Sequence, residues 1–223
     1  MDVRQLEWVF QCLLERYGSQ GWWPADSAFE VMLGAILTQN TSWQNVERAI
    51  AGLREAGLMS PEAIAASAHE PLAAAIRPAG YFNVKASRLK AFTGWYLEQG
   101  GLQALSPWPT EALRQGLLSV KGVGRETADD ICLYAFHRPV FVIDAYTRRL
   151  FARLGLASGE EGYEALRIAV QRALGPDTRV FNEFHALIVR HGKEICRPQP
   201  ACQLCCLAAR CPASLTASGV RSG

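Results

Sequence analysis

Ser119-Val-Lys-Gly-Val-Gly-Arg-Glu-Thr-Ala-Asp129 reads as a tight turn between two helices, and the rest of the chain is organised around it. Leu113 to Leu118 end one helix, Gly122 and Gly124 supply the backbone freedom of a sharp reversal, and a second helix starts near Arg125. Amide groups at a helix start have no acceptor within the helix. With Lys121 and Arg125 beside them they form a seat for a phosphate oxygen. Such a contact positions a nucleic acid without reading its sequence. A Gly-x-Gly pair standing alone is usually an ordinary helix–helix turn, so the weight of this one comes from its companions.

Outward from the turn, the hydrophobic period is helical almost throughout. Phe29, Met32, Leu33, Ile36 and Leu37 follow i, i+3, i+4, i+7, i+8 spacing and predict an amphipathic helix over 27–38. Phe184, Leu187, Ile188 and His191 repeat the pattern later in the chain. Further helices are predicted over 2–17, 43–56, 61–67, 70–76, 83–99, 110–118, 125–136, 143–154, 160–174 and 178–191. Ser60-Pro61 and Thr110 mark starts, and Gly18, Gly57, Gly100-Gly101 and Gly155 mark stops. Only Pro139 to Ile143 resembles a strand, too short to build a sheet, so the expected class is all-α. The tail after Pro212 is small and polar, and mobility is expected there.

The 223 residues can bury a real core, and with 49% of them hydrophobic the chain reads as globular and ordered. No apolar run reaches a membrane span and Met1-Asp-Val-Arg-Gln-Leu-Glu has no signal-peptide profile, so a cytoplasmic protein without membrane contact is expected. The formal charge of +2 is too small to argue for nucleic acid, so any DNA-binding face must come from local asymmetry. Lys85, Arg88, Lys90, Lys121, Arg125, Arg148 and Arg149 are its candidates, each weighed against an ordinary solvated helix face.

Cysteine spacing gives a second signal. Five of the seven cysteines lie between Cys196 and Cys211, and Cys196, Cys202, Cys205 and Cys211 fit Cys-x5-Cys-x2-Cys-x5-Cys. In a reducing compartment that points to metal rather than disulfides, and zinc and an iron–sulfur cluster both accept four thiolates. Cys206 is the spare, while Cys12 and Cys132 sit in apolar helical patterns and are expected in the core.

Together these pieces resemble the helix-hairpin-helix (HhH-GPD) superfamily of DNA glycosylases, in its endonuclease III branch, over roughly residues 5 to 212. Leu37-Thr-Gln-Asn-Thr41 resembles the segment that puts a glutamine wedge into the duplex, here Gln39; Asp144 falls on the family's catalytic aspartate; and the cysteines match its cluster loop, although the first gap holds five residues where the family usually has six. The resemblance implies two helical lobes with DNA in the cleft: a helical barrel domain over 25–136 carrying the hairpin, and a second domain from 1–24 and 137–223 carrying Asp144 and a C-terminal [4Fe-4S] loop, zinc being the lesser candidate. The implied partner is double-stranded DNA containing a damaged base, bound by a monomer.

One letter departs from the bifunctional pattern. Lyase members carry a lysine where this chain has Glu126, and a carboxylate cannot form the Schiff base that a lysine amine forms with the sugar. The resemblance therefore implies a monofunctional glycosylase in which water completes the reaction. Gly21-Trp22-Trp23-Pro24, the Gln-Asn-Thr segment and Gly124-Arg-Glu-Thr-Ala-Asp129 look closest to the 3-methyladenine glycosylases of this branch, whose known members lack the cluster cysteines. By that likeness Trp22 and Trp43 hold the flipped base, with Trp23, Pro24 and Lys193 nearby, and Lys121, Gly122, Gly124 and Arg125 grip the backbone. A purine alkylated at N3 or N7 is cationic and already a good leaving group, so stacking, cation–π attraction and one carboxylate suffice. Two other readings stay open: an endonuclease III-like glycosylase for oxidised, deaminated or mismatched bases with lyase activity, and a non-catalytic binder of damaged DNA.

Overall fold

The structure is a computed structural model, and it describes residues 1–214. Its α-helices are α1 (Val3–Tyr17), α2 (Ala28–Leu37), α3 (Trp43–Glu55), α4 (Pro61–Ala66), α5 (His69–Ala75), α6 (Phe82–Glu98), α7 (Gly101–Leu105), α8 (Thr110–Ser119), α9 (Arg125–Asp130), α10 (Ala145–Arg153), α11 (Tyr163–Leu174) and α12 (Thr178–Glu194). Among the described residues there is no strand, so the class is all-α, and no helix is long and apolar enough to cross a membrane. The small polar tail beyond Ser214 lies outside the described residues.

The chain divides into two units, one from Trp23 to Arg138 and one from Met1–Trp22 with the chain from Pro139 onward. These bounds place Trp23 and Pro24 with the middle segment, two residues earlier than the sequence boundary at Ala25.

The middle unit is built around α2. Every residue from Phe29 to Leu37 is buried, so this helix is apolar all round rather than amphipathic, and α3, α6 and α9 pack on it. Its one buried charge, Glu30, is met by Arg54 of α3 at 2.7 Å. After α9 the backbone loosens into wider i to i+5 turns over Ile131–Ala135, closed by Phe136 N–H on Ile131 O at 3.2 Å. The sequence pattern carried the helix straight through to 136.

In the other unit α1, α10, α11 and α12 surround an aromatic core of Phe141, Phe151, Phe181 and Phe184. Pro139 to Ile143, the strand-like run, is extended backbone with no partner strand among the described residues, and its Val140 to Ile143 side chains are buried. Alternation failed as a guide here because core lies on both sides of the segment. The helix after it begins two residues later than predicted, where the Asp144 carboxylate caps Thr147 N–H at 2.7 Å.

Candidate functional site

In the middle unit the hairpin joins α8 to α9. Val123 N–H closes the turn on Val120 O at 3.0 Å, and Gly122 takes φ +92°, a left-handed backbone that side chains resist. A Cβ on Gly122 would also lie 2.8 Å from Arg88 Cδ and closer still to its Cγ, because the arginine of α6 lies flat on this glycine. Gly124 caps α9 in ordinary extended conformation, and Lys121, Arg125 and Glu126 are exposed around the helix start. Inside the hairpin Arg114 and Asp129, both buried, are paired through Nε–Oδ1 at 2.5 Å and Nη2–Oδ2 at 3.3 Å. That pair locks α8 to α9.

Gln39 is brought onto this hairpin. Its Nε2 donates to Gly122 O at 3.1 Å and Thr127 Oγ1 at 2.8 Å, and Arg88 donates to its Oε1. Lys85 secures the same segment from below. It is buried, and its Nζ donates to Leu37 O at 2.8 Å and Ala79 O at 2.7 Å, so it caps the end of α2 rather than offering charge to solvent. Lys90 likewise donates to the carbonyls closing α4, and Arg148 and Arg149 of the other unit to Glu161 O, Cys196 O and Gly192 O. The surface role expected for these basic residues is thus spent on main-chain carbonyls. Tyr81 was not read from the sequence: it precedes α6 at φ +46° and is 73% exposed. An aromatic directly after Gly80, ahead of an apolar helix, was the signal available.

The aromatic residues of the middle unit converge. Trp23 and Trp43 meet edge to face with ring centroids 5.1 Å apart, and Tyr134 lies 5.2 Å from Trp23. Both indoles line a pocket of about 290 Å³ together with Pro24, Asp26, Glu30, Glu47 and Arg54. Trp43 Nε1 donates to Glu47 Oε1 at 2.9 Å, while Arg54 pairs with Asp26 and Glu30. Trp22, half-exposed in the other unit, does not line this pocket.

In that other unit Asp144 is buried, with Oδ1 accepting from Thr147 N–H and Oδ2 3.5 Å from His185 Nε2. Burial alone would raise its pKa. The nearby His185 imidazole, then the Thr147 amide, outweigh that and hold it below the ordinary carboxylate value. Lys193 is exposed at the end of α12; its surroundings push its ammonium pKa down while the Asp144 charge pulls it up. His185 escaped the sequence reading because it sits one position from Phe184 in an apolar stripe.

Cys196, Cys202, Cys205 and Cys211 line one small pocket with Leu150, Leu154, Ile195 and Leu207. Their loop is fastened to α10 by Arg153, whose Nη1 donates to Cys196 Sγ at 3.2 Å and Arg197 O at 2.6 Å, and by Arg149 on Cys196 O at 2.7 Å. Cys205 Sγ lies 3.5 Å from His191 Nε2, and Tyr17 hydroxyl meets the other ring nitrogen at 2.9 Å. Among the described residues no three of His, Cys, Asp and Glu converge closely enough to hold a single ion. Cys132 is a core residue as expected, and burial pushes its thiol up to about 12; Cys12 is only half-buried.

Comparison with known proteins places this geometry. The family model for the HhH-GPD superfamily base excision DNA repair protein matches residues 33–176. A Methanocaldococcus jannaschii protein named as a DNA repair glycosylase is 45% identical over 200 residues, covering 88% of this chain and 91% of its own. A non-covalent endonuclease III–DNA complex superposes with TM-score 0.84 at 19% identity over 98% of this chain and 99% of that one. The Helicobacter pylori 3-methyladenine DNA glycosylase bound to 1,N6-ethenoadenine gives TM-score 0.69 at 29% identity over 86% and 95%. A hairpin stapled at Gly122, a held carboxylate at Asp144 and a family match across most of the chain lead to one assignment: the chain belongs to the HhH-GPD superfamily of base excision DNA repair proteins, as a DNA glycosylase.

Proposed function

We propose that this glycosylase is monofunctional and hydrolyses the N-glycosidic bond of alkylated purines of the 3-methyladenine type. The observation that carries the substrate class is the middle-unit pocket: two indole rings with three carboxylates against one guanidinium. Such a lining favours an aromatic guest that carries positive charge. Cation–π attraction contributes about 0.5–2 kcal/mol per ring, more as water is excluded. A neutral purine gains the stacking without the charge term. The similarity to a 3-methyladenine glycosylase at 29% identity supports the same class.

In this reading the duplex is gripped by the exposed start of α9, with Lys121, Gly122, Gly124 and Arg125 on the phosphates, and Gln39 and the Tyr81 ring beside the base step. The damaged base is extruded and stacked on Trp43 and Trp23 against Pro24. As the C1′–N bond breaks, the electron pair leaves with the base, whose positive charge it neutralises. Asp144, ionised at neutral pH, stabilises the oxocarbenium-like sugar and takes the proton of the water that attacks C1′. Glu126 stands where an amine would be needed for lyase chemistry, so no imine forms and the abasic strand stays intact.

Cys196, Cys202, Cys205 and Cys211 hold a [4Fe-4S] cluster in this reading. What supports this reading is the donor set: four free thiols on one loop that line a single pocket match the four thiolates such a cluster takes. When bound, the cluster supplies a cross-link for the loop that Arg149 and Arg153 fasten to α10. The enzyme acts as a monomer in the cytoplasm.

The test is base release from dimethyl-sulfate-treated duplex DNA by wild type and Asp144→Asn. Wild type is expected to free 3-methyladenine, and Asp144→Asn to lose at least about 100-fold in rate while still binding DNA. Release of oxidised pyrimidines with no release of methylated purines overturns the substrate class.

A further inference from the structure

Asp144 has to carry its charge in a buried place. Its carboxylate has a neighbour at both oxygens: Oδ1 accepts from the Thr147 amide at 2.7 Å, and Oδ2 lies 3.5 Å from His185 Nε2, at ion-pair distance. Thr147 belongs to the same helix start as Asp144, so its amide follows automatically from the N-cap geometry. His185 does not. It comes from α12, 41 residues further on, and its ring is fixed by packing edge-on to Phe141 at 80° with centroids 6.4 Å apart.

The approach of α12 to α10 is itself built in. A Cβ on Gly192 would stand 2.5 Å from Tyr146 Cδ1, so glycine at this position lets α12 lie against the first turn of α10. Arg149 then bridges the pair, lying over the Tyr146 ring at 5.2 Å and donating to Gly192 O at 3.1 Å. The two helices are thus locked at the distance that brings the imidazole to the carboxylate.

We infer that His185 is the positioning residue of the reaction: its imidazole, fixed at ion-pair distance from Oδ2, keeps the buried Asp144 carboxylate in one orientation. The inference rests on the reading of Asp144 as the catalytic carboxylate. Two physical consequences follow. A carboxylate held at one oxygen only rotates about its last bond and spends part of its time misaligned. A buried carboxylate without a donor at Oδ2 also gains a proton more readily, since burial then acts with less opposition. The other groups facing Asp144 are Lys193, also of α12, and Tyr146 of its own helix; their charge interactions with it stay in place when His185 is changed.

Two variants and two readouts test this. His185→Leu keeps the apolar packing and removes the polar partner; His185→Gln returns an N–H near the position of Nε2 on a side chain that does not titrate. Single-turnover release of 3-methyladenine from methylated duplex DNA is expected to fall about 10- to 100-fold in His185→Leu, with the Kd for abasic-site DNA within about twofold of wild type. His185→Gln is expected to recover most of that rate at neutral pH, with the acid limb of its pH–rate profile above that of wild type. Carbon-13 NMR titration of the Asp144 carboxylate, assigned by its loss in Asp144→Asn, is expected to show proton uptake at higher pH in His185→Leu than in wild type. An unchanged titration, or a rate loss matched by an equal loss of DNA affinity, overturns the role of His185. If His185→Leu does not fold, a His185→Gln profile superimposable on wild type overturns it too. Should wild type release no methylated purine, the substrate reading fails, and the titration still decides His185.

Discussion

Gly122→Ala separates a turn that is merely glycine-rich from one that needs glycine at a defined place. At φ +92° an alanine costs about 1–2 kcal/mol in backbone strain alone. Its Cβ would also stand 2.8 Å from Arg88 Cδ, and the arginine must swing aside, giving up its bond to Gln39 Oε1. A hydrogen bond from a charged donor contributes about 1.5–3 kcal/mol, so the total loss is about 2.5–5 kcal/mol. For a chain of this size each kcal/mol moves Tm by about 2–4 °C, which predicts a fall of about 5–20 °C. Gly124→Ala is the control. Its backbone is extended at φ −89°, ψ −179°, and a Cβ there meets nothing within 4 Å, so Tm is expected to hold or rise slightly. Circular-dichroism melts of both variants, read with fluorescence anisotropy of duplex DNA binding, make the comparison. Arg88→Ala added to Gly122→Ala removes the steric part, so the double variant is expected to be less destabilised than the sum of the singles. Equal Tm shifts at Gly122 and Gly124, or strict additivity with Arg88, refute the reasoning.

Three further outcomes are expected. Arg114→Met leaves Asp129 buried without its guanidinium and is expected to cost about 3–5 kcal/mol in urea unfolding, most of which Arg114→Met/Asp129→Leu recovers. Burial, then Arg88, brings the Lys85 ammonium down to about 8 from 10.5, so the unfolded chain binds that proton more tightly. Its contribution is therefore gained as pH rises through that window, and the stability difference between wild type and Lys85→Met is expected to grow in favour of wild type from pH 8 to 10; a constant difference contradicts it. Protein purified without air is expected to absorb near 400 nm with about four irons per chain, and Cys202→Ser to lose that absorbance; a colourless chain with one zinc overturns the cluster.

Sequence pattern recovers most of the helices because each buries a continuous stripe, and it finds the hairpin because Gly122 has no substitute at its φ. It fails where one residue type serves two environments. Lys85 and Arg149 look like surface charges, yet their long stems reach main-chain carbonyls inside the fold, which no one-dimensional pattern encodes. Gly100-Gly101 does stop α6, as read, but the short helix α7 that starts at Gly101 was missed. Asp144 was legible only through the likeness to the glycosylase family; its capping of α10 came with the structure. His185 was not, since its meaning depends on α12 crossing α10, and a histidine beside Phe184 looks like core. The pocket pairing of Trp43 with Trp23 rather than Trp22 is something that spacing along the chain leaves open, since two adjacent indoles fit it equally.

The measurement that bears most directly on the account is sodium borohydride trapping during a time course on methylated duplex DNA. The predicted result is free 3-methyladenine accumulating with an intact abasic strand and no covalent protein–DNA adduct, since Asp144 and water do the work and Glu126 offers no amine. A borohydride-dependent adduct formed at the rate of base loss would contradict it.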